Sequence, residues 1–165
     1  MNFTQNDIEF VKNLDVYEYK KIQSIAKNVL DEIRNFIKPE NTEKEIVEQC
    51  KLLLKKHGID ETLYYDCPAL GLLGSRSCLS VSGKNYVPSE EMVGNENLVT
   101  IDLSPLKNGV WGDCSRSFVV EDGIVKSETD IKNFEFLEGL RIERELHNHF
   151  IEFVKPDMSF EDVFI

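Results

Sequence analysis

No apolar run in this sequence approaches the roughly 18 residues that a transmembrane helix needs. The first residues, MNFTQNDIEF, also lack the basic segment and following apolar segment that mark a secretory signal peptide. The cysteines are few and form no CxxC pair, so neither a zinc knuckle nor a disulfide framework is indicated. We therefore expect a cytoplasmic protein with reduced, mostly buried thiols at Cys50, Cys67, Cys78 and Cys114.

Basic residues are also scarce. Nineteen lysines and arginines stand against 30 aspartates and glutamates, which leaves a net charge of −11. Such a surface repels nucleic-acid phosphates and anionic membranes, so neither is expected as a partner. A cation or a small substrate fits this charge better. With 41% hydrophobic residues, the 165 residues suffice for one globular domain with a sizeable core.

Two amphipathic helices are predicted in the first third of the chain. Apolar residues recur at helical spacing from Ile22 to Phe36, and Pro39 closes this stretch. Thr42 and Glu45 then form the pattern of a capping box, and the apolar stripe that follows it ends at the His-Gly pair of positions 57 and 58.

Short strands and turns are predicted after the second helix. Between residues 63 and 82, Pro68, Gly71 and Gly74 interrupt short apolar runs such as CLSV, as turns between strands do. β-rich runs follow at residues 98–103 and 110–120 around KNG, and EDG indicates a further turn. Together these runs predict an antiparallel meander.

Apolar residues spaced from Phe134 to Phe153 predict a third helix that runs up to Lys155-Pro156, and Ser159 with Asp162 indicates the cap of a fourth. Helices on both sides of a meander predict an α+β domain with helices packed on one face of an antiparallel sheet. The fourth helix ends almost where it starts, with an apolar face forming. We therefore expect residues 1–165 to be a single domain that is incomplete at its C-terminal end.

The meander carries two aspartates, Asp102 and Asp113, in VTIDLSPLKNGVWGDCSRSF. If residues 107 and 108 form the two-residue turn, the aspartates lie directly opposite each other. If residues 108 and 109 form it, Asp113 lies opposite Ser104 and diagonal to Asp102. Both registers put the carboxylates on one face of the sheet, and only a bulge would separate them.

Two carboxylates on one face repel each other, which indicates a cation between them. A pair of divalent metal ions bridged by carboxylates has the matching charge and serves hydrolytic enzymes. In the alternative interpretation, Asp113 is a turn residue and Asp102 pairs with a cation such as Arg116. Alternation along the strand weakens this alternative, because it places Arg116 and the packing residue Cys114 away from Asp113, with Arg116 on the outer face.

The same run resembles the segment with the first two metal ligands in the family of methionine aminopeptidases, Xaa-Pro aminopeptidases, proline dipeptidases and creatinase. The likeness includes the apolar run before Asp102, the 11-residue step to Asp113, the glycine before it and the ending at Phe118. TEKEIVEQC and SCLSVSGKNYVP precede the run in the family's order. FIEFVKPDMSFEDVF resembles the family's long helix and next turn, with Asp157 where glycine is usual. The resemblance covers about residues 17–165 and implies a pita-bread-like half domain.

The resemblance implies that Asp102 and Asp113 are metal ligands of a metal-dependent aminopeptidase or dipeptidase, a hydrolase. In the family, one histidine and two glutamates from later strands join them and hold two divalent ions, which can be manganese, cobalt, iron or zinc. We expect His147 and His149 on the surface of the third helix and His57 as a partner of the second helix's C-terminus.

The substrate is expected to be a peptide. The identity of the residue that is cleaved from it stays open. Methionine aminopeptidases carry a histidine in the loop that corresponds to SVSGKNYVPSEE, and this loop has none. GDCSRSF is closer to the Xaa-Pro and dipeptidase members. Two alternatives remain: a non-catalytic protein-binding module with the pita-bread framework, and a split enzyme completed by another chain. In the second case, the exposed incomplete edge would favour self-association.

Overall fold

The computed structural model describes residues 15–63 and 65–163, and it divides into two compact units, residues 1–125 and 126–165. Among the described residues, the first unit holds two α-helices and seven strands, and the second holds two α-helices. In chain order they are α1 (Val16–Ile33), α2 (Glu43–Lys56), β1 (Glu61–Thr62), β2 (Ala69–Leu73), β3 (Asn97–Leu103), β4 (Pro105–Lys107), β5 (Val110–Trp111), β6 (Cys114–Glu121), β7 (Ile124–Val125), α3 (Phe134–Phe153) and α4 (Phe160–Val163).

The first two predicted helices are confirmed, and local capping explains where they start. The side chain of Asp15 accepts hydrogen bonds from the first turn of α1. At α2, Thr42 Oγ1 accepts from the Glu45 N–H at 3.2 Å, and Glu45 Oε2 accepts from the Thr42 N–H at 2.8 Å. This pair is the predicted capping box. The helix ends at His57, followed by Gly58 with a φ of +75°.

The predicted meander is also confirmed as an antiparallel sheet with the strand order β2-β3-β6-β7. β1, β4 and β5 form a second, three-stranded sheet. The predicted strand over residues 110–120 is therefore two strands, because the chain leaves one sheet and enters the other at Gly112 and Asp113.

The core of the first unit lies between one face of the four-stranded sheet and helices α1 and α2, as predicted. Side chains alternate along the paired strands, so Val99, Ile101 and Leu103 of β3 face these helices, together with Phe118 and Val120 of β6. The buried side chains of this core include Ile22, Ala26, Val29 and Ile33 of α1, Ile46, Val47, Cys50 and Leu54 of α2, Val99, Ile101 and Leu103 of β3, and Phe118 and Val120 of β6.

Two predictions for residues 63–82 are wrong. Gly71 is not a turn residue but the centre of β2, where a Cβ would lie 3.0 Å from Val47 Cγ2 of α2. Glycine here lets the helix approach the strand closely. The run CLSV is not a strand. Its first residue, Cys78, ends the 3₁₀ helix Gly74–Cys78, and its other residues lead toward the 3₁₀ helix Gly83–Asn85.

In the second unit, helices α3 and α4 confirm the third and fourth predicted helices. Ser159 and Asp162 bond reciprocally at the start of α4, with the Asp162 N–H donating to Ser159 Oγ at 3.2 Å. Asp157, where the family resemblance implies a glycine, has a φ of +71°. Within the described residues, no helix combines the length and the apolar character needed to cross a membrane.

Candidate functional site

The hairpin around Asn108 and Gly109 sets the relative position of the two predicted metal ligands. Both turn residues have positive φ, +53° and +77°, as a type I′ turn requires. β3 pairs with β6, and β4 pairs with β5, in one continuous register that contains no bulge. The second of the two predicted registers is therefore the observed one, with Asp113 opposite Ser104 and diagonal to Asp102.

The carboxylates of Asp102 and Asp113 meet in one cavity of about 240 Å³ on the face of the sheet opposite α1 and α2. Among the described residues that line it, these two are the only charged side chains. The other lining residues are polar or apolar, namely Leu63, Cys67, Leu70, Val81 and Ser104. The cavity thus places two negative groups beside an apolar wall.

The two carboxylates affect each other electrostatically. Desolvation by the surrounding protein raises the pKa of Asp102, and the negative charge of Asp113 and a hydrogen bond between the two carboxyls raise it further. A cation held between them would remove this repulsion.

The nearest basic residues in the hairpin do not neutralise the pair. Lys107 Nζ donates to the carbonyl oxygen of Gly58 at 2.8 Å, and Arg116 forms an ion pair with Asp31 of α1. Arg116 therefore does not pair with Asp102. It does lie away from Asp113, as predicted, but the expectation of an outer face is wrong, because this is the face that α1 covers.

Among the cysteines and histidines, which all lie within the described residues, only Cys67 lines the cavity of the carboxylate pair. All four cysteines are free thiols, but only Cys50 is fully buried, and desolvation raises its pKa to about 12. Cys78 is exposed, contrary to expectation. Cys114 packs against the core, as predicted. His147 and His149 are exposed on α3, and His57 caps α2 with its Nε2 2.6 Å from Glu32 Oε1.

Sequence reasoning missed a buried glutamate that organises the loop beside the cavity. Glu43, the first residue of α2, is fully buried and accepts hydrogen bonds from Arg76 Nε at 3.0 Å and from the N–H of Ser89 at 2.9 Å. It also accepts from the N–H of Leu73 at 3.1 Å and from the Tyr86 hydroxyl at 3.3 Å. An acid after a helix cap suggests only a capping role, so no sequence signal indicated that Glu43 is buried.

The donor set of the cavity fits part of a divalent-metal site. Carboxylate oxygens are the ligands that hard divalent cations prefer, and two of them converge here. Within the described residues, however, no cluster of three or more His, Cys, Asp or Glu side chains converges as a metal-binding group. The described residues could therefore contribute two ligands.

Comparison with known proteins assigns the family. A model described as metallopeptidase family M24 matches residues 18–165. The chain belongs to metallopeptidase family M24. It is 32% identical over 103 residues to a methionine aminopeptidase of Staphylococcus epidermidis, an alignment that covers 61% of this chain and 39% of that protein. The chain thus spans well under half the length of this relative.

Solved structures show the same fold. The Xaa-Pro dipeptidase from Bacillus anthracis superposes with a TM-score of 0.72 at 20% identity, over 97% of this chain and 42% of that one. The prolidase from Pyrococcus furiosus gives a TM-score of 0.70 at 23% identity, over 97% and 40%. This M24 chain therefore has the α+β pita-bread fold that the sequence resemblance implied.

Proposed function

We propose that this chain is part of a divalent-metal-dependent aminopeptidase or dipeptidase in which Asp102 and Asp113 are metal ligands. The observation that carries the proposal is the meeting of these two carboxylates in a cavity whose described lining contains no basic side chain. Membership of metallopeptidase family M24 supports the same reaction class.

The chain's own residues would have two roles in this reaction. The carboxylates hold the cations, and the apolar wall of Leu63, Leu70 and Val81 contacts the substrate and excludes water near the reacting bond. When bound by Asp102 and Asp113 with further ligands, divalent metal ions would supply Lewis acidity for the hydrolysis of a peptide bond. The remaining ligands, by resemblance one histidine and two glutamates, would come from sequence outside this chain.

Manganese binding tests this proposal. The free Mn²⁺ signal in electron paramagnetic resonance should fall when the wild-type chain is added, with a weak Kd of about 0.1 to 1 mM because two carboxylates supply few ligands. Asp102→Asn and Asp113→Asn should each abolish this binding. Asp60→Asn removes the same charge at an exposed position outside the cavity and should leave it unchanged.

Equal Mn²⁺ binding by all four chains would contradict the proposal, since it would reflect only the acidic surface. Binding by none of them would favour the non-catalytic binding module. The same samples should hydrolyse no peptide, because two ligands do not fix a catalytic metal site. Turnover by the isolated wild-type chain would show that it needs no ligands from elsewhere.

A further inference from the structure

The backbone of Asp113 lies where the hairpin changes sheets. The backbone of Ser104, which lies opposite Asp113, bonds to other residues. The Ser104 N–H donates to the Pro68 carbonyl oxygen at 3.2 Å, and the Ser104 carbonyl oxygen accepts from the Leu63 N–H at 3.2 Å. The next ladder bond runs from the Gly112 N–H to the Pro105 carbonyl oxygen at 2.9 Å. The peptide groups of Asp113 therefore need a partner other than the opposite strand.

The side chain of Gln23, on α1, supplies this partner. Gln23 Nε2 donates to the carbonyl oxygen of Asp113 at 2.7 Å, and the N–H of Asp113 donates to Gln23 Oε1 at 3.0 Å. A side-chain amide presents one donor side and one acceptor side, so it satisfies both backbone groups of a single residue. Gln23 thus bonds Asp113 as a neighbouring strand would.

Gly112 makes this close approach of helix and strand feasible. A Cβ at this position would lie 3.1 Å from Gln23 Oε1, 3.2 Å from the Gln23 backbone nitrogen and 3.2 Å from Ile22 Cγ2. These contacts are tighter than most real Cβ contacts, so a side chain here would require Gln23 and Ile22 to shift by a few tenths of an ångström. Gly112 and Gln23 therefore belong to one contact between α1 and the strand.

We propose that Gln23 is a positioning residue for Asp113, which it holds in the orientation that binds a cation together with Asp102. The part of this inference that concerns metal binding rests on the proposed function. The direction of a side chain follows from the backbone that carries it, and the two hydrogen bonds fix the backbone of Asp113 on both sides. Groups that orient a metal ligand without touching the metal typically change metal affinity by about 10- to 100-fold.

The variant Gln23→Met tests the inference, with Ser24→Ala as its matched control. Methionine keeps the length and the helix propensity of glutamine but neither donates nor accepts as an amide does. Ser24 is the next residue of α1, and its hydroxyl donates to the Lys20 carbonyl oxygen at 2.7 Å, within the helix. Both variants remove a polar group from the same turn, but only Gln23→Met removes contacts with Asp113.

Three readouts are measured on the full chain: amide hydrogen exchange and side-chain couplings by nuclear magnetic resonance, and Mn²⁺ affinity by electron paramagnetic resonance. In Gln23→Met, the Asp113 amide should exchange its hydrogen faster, and its Hα–Hβ couplings should change from those of one rotamer to averaged values. The Kd for Mn²⁺ should rise about 10-fold. Ser24→Ala should match the wild type in all three. A role in stability alone would lower the melting temperature without moving couplings or Kd.

Unchanged Asp113 couplings in Gln23→Met would overturn the inference, and so would a Kd for Mn²⁺ equal to that of the wild type. Failure of the proposed function has a different signature, since the wild-type chain itself would then bind no Mn²⁺. In that case, the exchange rate and couplings of the metal-free chain still decide whether Gln23 orients Asp113.

Discussion

Asp102 is a surface aspartate that the fold makes harder to ionise. Its pKa is raised above the value of 3.8 of an unperturbed aspartate, first by desolvation and then by Asp113. The folded chain therefore binds this proton more tightly than the unfolded chain does. The stability that the proton contributes is fully present below the unfolded pKa and is lost as pH rises through the folded pKa.

Replacing Asp102 should consequently stabilise the metal-free chain. We expect Asp102→Asn to raise the free energy of unfolding at pH 7 by about 0.5 kcal/mol, the scale of a repulsive pair on a sheet surface. The gain should shrink as pH falls toward 3.8 and as salt screens the pair. Urea unfolding between pH 4.5 and 7 measures it, and Asp60→Asn controls for net charge.

A free energy of unfolding at pH 7 that is lower for Asp102→Asn than for the wild type would contradict this expectation. It would mean that the Asp102 carboxylate holds the fold together, as a structural aspartate does, and that Asp113 does not repel it.

Side chains differ in how far the sequence predicts their roles. Asp102 and Asp113 were predictable as a pair, because strand alternation and the Asn-Gly turn restrict their geometry to two registers. The role of Gln23 was not, since its partner lies 90 residues away and a glutamine on a helix carries no signal of such a contact. The burial of Glu43 could not be predicted from the sequence for the same reason.

Among the secondary structure elements, α1 and α2 were predictable because short-range signals define them. The capping box at Thr42 and the glycine after His57 act within a few residues of the helix ends. The break between β5 and β6 was not predictable, because it depends on which strand each segment pairs with. Gly71 was wrongly predicted as a turn residue for a related reason. The close contact with α2, and not a turn, requires a glycine there.

The loop between β2 and β3 depends on Glu43, and its substitution should show this. Glu43→Gln leaves Arg76 without its buried counter-charge and turns an amide N–H₂ toward other donors. We expect a loss of about 3 kcal/mol in the free energy of unfolding. Glu45→Gln makes the same change two residues later, where glutamine preserves the capping box, so its loss should be much smaller. Urea unfolding at pH 7 compares the two.

Equal stability of the Glu43→Gln and Glu45→Gln chains would contradict the role of Glu43. It would mean that the hydrogen bonds from Arg76, Tyr86 and Ser89 contribute no more than an exposed cap does.

For the molecule as a whole, the sequence predicted the α+β class from patterning and the pita-bread fold from resemblance. The family match over residues 18–165 agrees with that resemblance. The net charge of −11 also has a consequence for metal binding, because an acidic surface attracts cations at many places. Affinity alone therefore does not locate a site, and the position of the bound ion has to be measured.

Paramagnetic broadening by Mn²⁺ in the ¹H–¹⁵N spectrum of the wild-type chain tests the central claim most directly. At a small fraction of one equivalent, the amide signals of Asp102, Leu103, Asp113 and Cys114 should broaden first, because they surround the two carboxylates. Asp113→Asn should remove this pattern. Broadening that is strongest around residues 60–66, where other acidic side chains line a separate cavity, or that is spread evenly over the acidic surface, would contradict a site at Asp102 and Asp113.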